Sequence, residues 1–216
     1  MAKSRTGFFV VIDGVDGAGK SSQLKYLAHA FRNAGREVVE TLEPGGTETG
    51  KLLRHEILHG GYKLTPEQEI LLFSADRALH FAQVVIPSLE NNKDVLCDRY
   101  ASSTHAYQGV AGGGDIKLIE DLTLLANKDC NPDLLIVLSL PPEVGFQRKT
   151  GDELDRIELQ PLSFHSLVHE GYLEYANRHL DFCEVIDAEP IPQIVHNEII
   201  QIVNDRLGLG LSALEI

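Results

Sequence analysis

The sequence predicts an α/β fold, a doubly wound five-stranded parallel sheet flanked by helices, and three observations predict it. Five short apolar runs suit buried strands, segments with helical spacing separate them, and the first run feeds directly into a glycine-rich turn that opens a helix. Strands that alternate with helices pair in parallel, because each crossover helix returns along a face of the sheet.

The elements follow in order. Residues 8–12 form the first strand, all apolar, and Gly14-Val15-Asp16-Gly17-Ala18-Gly19-Lys20-Ser21 then fits G-x-x-x-x-G-K-[ST] at every fixed position. Glycines in such a P-loop turn successive N–H groups toward phosphate oxygens, and the next helix presents its positive end to the same anion. Lys20 would reach the outer phosphates and Ser21 a magnesium ion, with Ser22 completing the loop. Leu24, Leu27, Ala28 and Phe31 give that helix an apolar face. Residues 37–41, 95–97, 134–138 and 183–186 supply the other strands. Thr65-Pro66-Glu67-Gln68 provides an N-cap, a first-turn proline and a capping-box glutamine, so residues 65–89 are expected to form the longest helix. Gly60-Gly61 and Gly112-Gly113-Gly114 mark loops, and Pro132, Pro141 and Pro142 bracket the fourth strand. A single domain over residues 1–208 is expected, with a lid at about 147–160. Residues 209–216 form a tail whose alternating glycines weaken any helix, leaving it either to fray or to serve as a contact.

The formal net charge of -13 opposes broad nucleic-acid binding, which usually needs a basic excess. Cys97, Cys130 and Cys183 lack paired spacing, which argues for reduced thiols rather than a disulfide framework or a metal knuckle. The first apolar run is too short for a signal peptide and no uninterrupted apolar stretch reaches about 18 residues, so a cytoplasmic protein without a membrane partner is expected.

Ligands of open α/β sheets sit beyond the carboxyl ends of the strands. The third strand ends in Asp98-Arg99-Tyr100, a carboxylate suited to magnesium beside a guanidinium suited to phosphate. Phe73 and Arg77, four apart on the long helix, set an aromatic plane beside a hydrogen-bonding fork. Such a pair can stack a base and read a carbonyl, though taken alone a core phenylalanine and a solvated arginine are commoner. The polar stretch from Gln147 to Arg156 carries Arg148, Lys149 and Arg156 and reads as a mobile lid or as a solvated loop. His55-Glu56-Ile57-Leu58-His59 matches H-E-x-x-H, yet Gly60-Gly61 ends its helix at once and no third-ligand motif follows. Asn127-Lys128-Asp129 is one residue short of an N-K-x-D base-recognition motif, and His80, His105 and His169 take no role.

Read together, these motifs resemble the thymidylate kinases, P-loop nucleoside monophosphate kinases, over nearly the whole chain. The resemblance rests on the P-loop, Glu43-Pro44-Gly45-Gly46-Thr47, Leu71-Leu72-Phe73-Ser74-Ala75-Asp76-Arg77, Asp98-Arg99-Tyr100, Ala106-Tyr107-Gln108-Gly109 and Glu153-Leu154-Asp155-Arg156-Ile157-Glu158, in that order. It implies a P-loop NTPase fold with a short lid, phosphorylation of dTMP to dTDP by ATP and Mg2+, and a homodimer. By resemblance Phe73 stacks on thymine, Arg77 binds its O4 edge, Thr104 and Gln108 hold the other edge, and Tyr107 crowds the ribose 2′ position. Asp16 sits near the 3′-hydroxyl, and Glu43, Arg54 and Arg99 position the acceptor phosphate and its magnesium. Lys20, Arg99, Arg148 and Arg156 are the expected catalytic cations. Gly17 stands where some members carry a P-loop arginine, which assigns that arginine to the lid, as in the bacterial type. Three positions depart from the family pattern: Leu42 and His169 each replace a frequent arginine, and Ser139 a frequent aspartate.

Overall fold

Strands Phe9–Gly14 (β1), Val38–Leu42 (β2), Asp94–Asp98 (β3), Leu134–Ser139 (β4) and Cys183–Asp187 (β5) lie where the apolar runs set them. They form one sheet in the order β2-β3-β1-β4-β5, with every neighbouring pair parallel. The structure is a computed structural model that describes residues 7–61, 63–148 and 155–216. Central strands are buried on both faces, so Phe9, Val10, Val11 and Ile12 have no exposure. Edge strands β2 and β5 are only partly buried, and polar residues interrupt their apolar runs. β1 pairs with β3 on one side and β4 on the other, and the carboxyl ends of the strands open a crevice where the chain winds in both directions from β1.

The helices are Lys20–Asn33 (α1), Glu48–His59 (α2), Pro66–His80 (α3), Ile86–Glu90 (α4), Ala101–Thr104 (α5), Ile116–Asn127 (α6), Pro142–Arg148 (α7), Leu162–Arg178 (α8) and Pro192–Leu207 (α9). Both halves of the expected capping box at Thr65 and Gln68 are formed. The helical run from Pro66 to Glu90 is 25 residues long, but it is not one α-helix. Pro87 has no N–H to return to the preceding turn, and the ladder widens into a π segment, Phe81–Val85, where Ile86 N–H reaches the Phe81 carbonyl. By length and composition this run could cross a membrane, which the sequence reading did not foresee. It packs against α2 and α6 and buries Asp76, Arg77 and His80. A second π segment, His105–Ala111, follows α5.

The tail is a contact. Leu211 is buried in the core, and Asn204 of α9 binds both its N–H (2.6 Å) and its carbonyl (2.9 Å). Leu214 N–H donates to His196 Nε2 at 3.2 Å. Cys97 and Cys183 are buried free thiols and Cys130 is half-buried.

Candidate active site

A cleft of about 640 Å³ lies at the carboxyl ends of β1 and β3. One wall is the turn after β1. Asp16, Gly17, Gly19, Lys20, Ser21 and Ser22 line it, whereas Gly14 belongs to the sheet and Val15 and Ala18 anchor the loop in the core. Gly17 has φ +80° and its backbone meets Gly145 so closely that a Cβ would lie 2.3 Å from the Gly145 carbonyl oxygen. An arginine at this position would need the backbone to move. Lys20 is buried, with Nζ donating to the Val15 carbonyl at 2.8 Å and lying 3.7 Å from Asp16 Oδ1. Burial, and then the charge of Arg99, lower its pKa from the ordinary ammonium value.

Ser21 Oγ donates to Asp98 Oδ2 at 2.8 Å, while Asp98 Oδ1 is buried without a hydrogen-bond partner. A hydroxyl and a carboxylate with an unmatched oxygen make a hard-oxygen donor set suited to magnesium.

Arg99 stands at the centre of the cleft with φ +75°, a backbone conformation that costs a non-glycine residue on the order of 1 kcal/mol. Asp13, which has no exposure, holds it there, with Oδ1 4.0 Å from Arg99 Nη1 and through shared partners. Asp13 accepts from Ser102 Oγ (2.5 Å), Ser103 Oγ, Tyr172 OH (2.8 Å) and the Tyr100 N–H. Ser103 and Tyr172 in turn accept from Arg99 Nη1, and Arg99 Nη2 is ion-paired with Asp16. The second Asp16 oxygen accepts from Tyr107 OH at 3.1 Å, and the Tyr107 ring lies 5.6 Å from the guanidinium of Arg99. Burial, reinforced by Asp16, raises the Tyr107 pKa and keeps the hydroxyl a donor.

Arg77 is not solvated, since only 2% of it is exposed. Nε donates to Glu43 Oε2 (2.8 Å) and Nη2 to Thr104 Oγ1 (3.0 Å), while Nη1 is buried without a partner. Phe73, one turn earlier on α3, lines the same cleft half-buried. Both oxygens of Glu43 have partners, the second lying 2.9 Å from His80 Nδ1. Burial opposes its charge, but Arg77 and His80 outweigh burial and hold the pKa below the usual carboxylate range. Nearby, Asp76 accepts the Gly45 N–H at 3.1 Å and leaves Oδ2 buried and unmatched. Burial, and secondarily Glu43, push its pKa up to about 6. Arg54 donates to the Pro44 carbonyl at 3.0 Å, and its pKa is lowered first by burial and then by Arg99. Lys20, Arg54 and Arg99 thus line one cleft, and Arg99 repels the other two. Gln108, on the second π segment, donates its amide Nε2 to Glu69 Oε2 at 2.9 Å.

The lid is divided. Lys149 lies in residues 149–154, outside the described residues. Arg148 lines the cleft and donates to the carbonyls of Ala188 and Glu189, both at 2.8 Å, just beyond β5. Arg156 does not line the cleft with the other expected cations: Nε donates to the Ile57 carbonyl (2.7 Å) and Nη1 lies 2.6 Å from Glu69. Asp155 caps the turn that follows it, accepting from the N–H groups of Ile157 and Glu158, and Arg156 points toward α2 and α3.

Two of the departures from the family pattern meet. Ser139 Oγ and His169 Nε2 are 2.9 Å apart, joining the end of β4 to α8 away from the cleft, whereas Leu42 lines the cleft with 40% exposure. His55 and His59 stand 5.6 Å apart on exposed turns of α2, and among the described residues no third ligand joins them. Asn127 is structural, donating to Tyr100 OH and Asn131 Oδ1. Sequence reasoning missed Asp13, Tyr172, Asp76 and Glu69. Asp13 had a signal, an acidic residue ending an apolar strand before the P-loop. Tyr172, 159 residues further along the chain, had none.

A family model described as thymidylate kinase matches residues 12–199. The chain is 42% identical over 194 residues to a thymidylate kinase of Carboxydothermus hydrogenoformans, covering 89% of this chain and 95% of that protein. A thymidylate kinase of Synechococcus sp. strain RCC307 is 40% identical over 212 residues, 95% of this chain and 99% of its own. One of Bacillus cytotoxicus is 39% identical over 206 residues, 93% and 99% respectively. A P-loop that lines one cleft with a buried arginine fork and a phenylalanine, in a chain matched along most of its length by these proteins, leads to one assignment: the chain belongs to the thymidylate kinase family.

Proposed function

We propose that the cleft transfers the γ-phosphoryl group of ATP to the 5′-phosphate of dTMP, giving dTDP and ADP. The observation that carries this reading is the buried Arg77 fork, with Nη1 unmatched, in the same cleft as the three converging cations Lys20, Arg54 and Arg99. The fork suits the O4 carbonyl of thymine and the cations suit phosphates. Phe73 gives the base a face to stack on.

Transfer needs no nucleophilic side chain, because the acceptor phosphate attacks directly and the protein supplies position and charge. Backbone N–H groups of the P-loop and Lys20 hold the ATP phosphates. Ser21 and Asp98 would hold a magnesium ion, which would offset the negative charge of the phosphates. Arg54 and Arg99 take the acceptor phosphate, and Asp16 keeps Arg99 and Tyr107 in place. Arg148 is the described lid cation that lines the cleft, and it serves as the lid contact to ATP. Cytosine is refused because its amino group would face the Arg77 donor and leave it buried and unsatisfied. Uracil lacks only a methyl, which discriminates by about 10- to 200-fold.

A homodimer belongs to the same reading. Leu52 on α2, Leu71 on α3 and Leu124 and Leu125 on α6 are each more than half exposed, on helices that pack side by side. Exposed leucines on adjacent helices suit a second copy of the chain, and sedimentation at micromolar concentration should report twice the mass of 23.8 kDa. A cytoplasmic enzyme acting on free nucleotides, not on nucleic acid, accords with the net charge of -13.

The test is ADP release with magnesium and ATP across dTMP, dUMP, CMP, UMP, AMP and GMP. We expect dTMP to lead, dUMP to follow and the others to trail; no turnover of dTMP, or equal turnover of AMP, overturns the proposal.

A further inference from the structure

The structure assigns Glu69 a part in base selection: its carboxylate sets which way round the Gln108 side-chain amide faces the cleft, and so makes Gln108 an acceptor toward the base. The inference deepens the proposed function and rests on it.

Glu69 sits one turn before Phe73 on α3, and its two oxygens are divided. Oε1 lies 2.6 Å from Arg156 Nη1, and Oε2 accepts from Gln108 Nε2 at 2.9 Å. Arg156 is itself fixed by its Nε donation to the Ile57 carbonyl at 2.7 Å, which anchors the carboxylate. A carboxylate can only accept, so the Gln108 group turned toward it must be the NH2. The amide is planar, so its carbonyl oxygen lies on the side away from the NH2 that Glu69 holds, in a residue that lines the cleft. With Arg77 Nη1 unmatched in a residue that lines the same cleft, the cleft offers both a donor and an acceptor.

That order matches one class of ligand. Thymine and uracil present a carbonyl acceptor at C4 and an N–H donor at N3, while cytosine presents an amino donor and a bare nitrogen acceptor. If the amide turned over, Gln108 would donate to N3 and begin to favour cytosine. Arg77 alone would then resist the wrong base. Glu69 thus acts as a positioning residue, ranking pyrimidines by their N3 edge without touching them.

The isosteric variant Glu69→Gln tests this, because a glutamine can donate or accept and no longer dictates the flip. With the intact enzyme, kcat/KM would be measured for dTMP, dUMP and dCMP. We expect the preference for dTMP over dCMP to fall about 10-fold, the loss of one charge-assisted hydrogen-bond constraint. The preference for dTMP over dUMP should not change, since the two share the same N3 edge. In a Gln108→Ala background, Glu69→Gln should produce no further fall in the dTMP to dCMP ratio. An unchanged dTMP to dCMP ratio, an equal fall in the dTMP to dUMP ratio, or an additive effect in the double variant overturns the inference. Wild-type turnover of dTMP in the same assay separates that outcome from failure of the proposed function.

Discussion

The two halves of the cleft meet at Asp16 and Arg99 but are built on different plans. The half proposed to take the phosphate donor is a contiguous turn, Gly14 to Ser22, which offers backbone N–H groups and a single lysine. The half proposed to take the acceptor draws Glu43, Phe73, Arg77, Arg99, Thr104 and Gln108 from separate segments, and Glu43, Arg77, Thr104 and His80 hold one another through buried hydrogen bonds and charge. Glu43 and Arg77 are 34 residues apart and almost unexposed. A site made of backbone in one turn can lose a side chain and keep its shape. A site made of interlocked buried charges cannot, because each group left behind is stranded in low dielectric.

Substitutions can break or sharpen this contrast. Lys20→Ala should give the largest loss of activity, about 10³-fold in kcat, since the cation proposed to meet the transferring group is removed while the loop backbone remains. Thermal unfolding should move little, and a near-normal rate would remove Lys20 from the chemistry. Arg77→Ala should lower kcat/KM for dTMP about 100-fold with little change in the KM for ATP. It should also destabilise the fold by roughly 3–5 kcal/mol, lowering Tm on the order of 10 °C, because Glu43 loses its arginine. Loss of activity with no change in Tm would show that the acceptor half is not interlocked as described.

The smallest effect concerns Asp76. Its carboxyl has an ordinary pKa of 3.8 and is pushed up to about 6 in the fold, so the folded chain holds the proton more tightly than the unfolded chain. Its contribution is therefore present in acid and lost as pH rises through about 4 to 6, by up to roughly 3 kcal/mol. Asp76→Asn keeps an acceptor for the Gly45 N–H without the charge. Its stability relative to wild type should be about neutral near pH 4 and most favourable above about pH 7. Denaturant unfolding at both pH values decides, and equal differences would contradict a buried charge at this position.

Legibility followed the same division. The P-loop, the strands and the capping box at Thr65 were readable because each depends on neighbours within a few residues. The interruption at Phe81–Val85 was signalled only by Pro87, and the π segment over His105–Ala111, which carries Tyr107 and Gln108, had no periodic signature. Arg77 read by itself as a surface charge, because its partner Glu43 lies on another segment. Arg156 shows the reverse: a cation in the expected place in the chain is turned to Ile57 and Glu69 by the turn that Asp155 caps. The pairing of Ser139 with His169 and the docking of Leu211 on Asn204 also join residues that share no local pattern.

By itself the sequence determined the alternating α/β architecture, the P-loop and the family, since strand burial, helix caps and phosphate loops are written in local spacing and residue type. Tertiary structure alone decided which oxygens of Glu43 and Glu69 are taken, that Arg148 and not Arg156 lines the cleft, and that the tail folds back on α9. The reason is physical: a hydrogen bond between distant segments depends on where the whole sheet brings their ends, and no short window of residues encodes that distance.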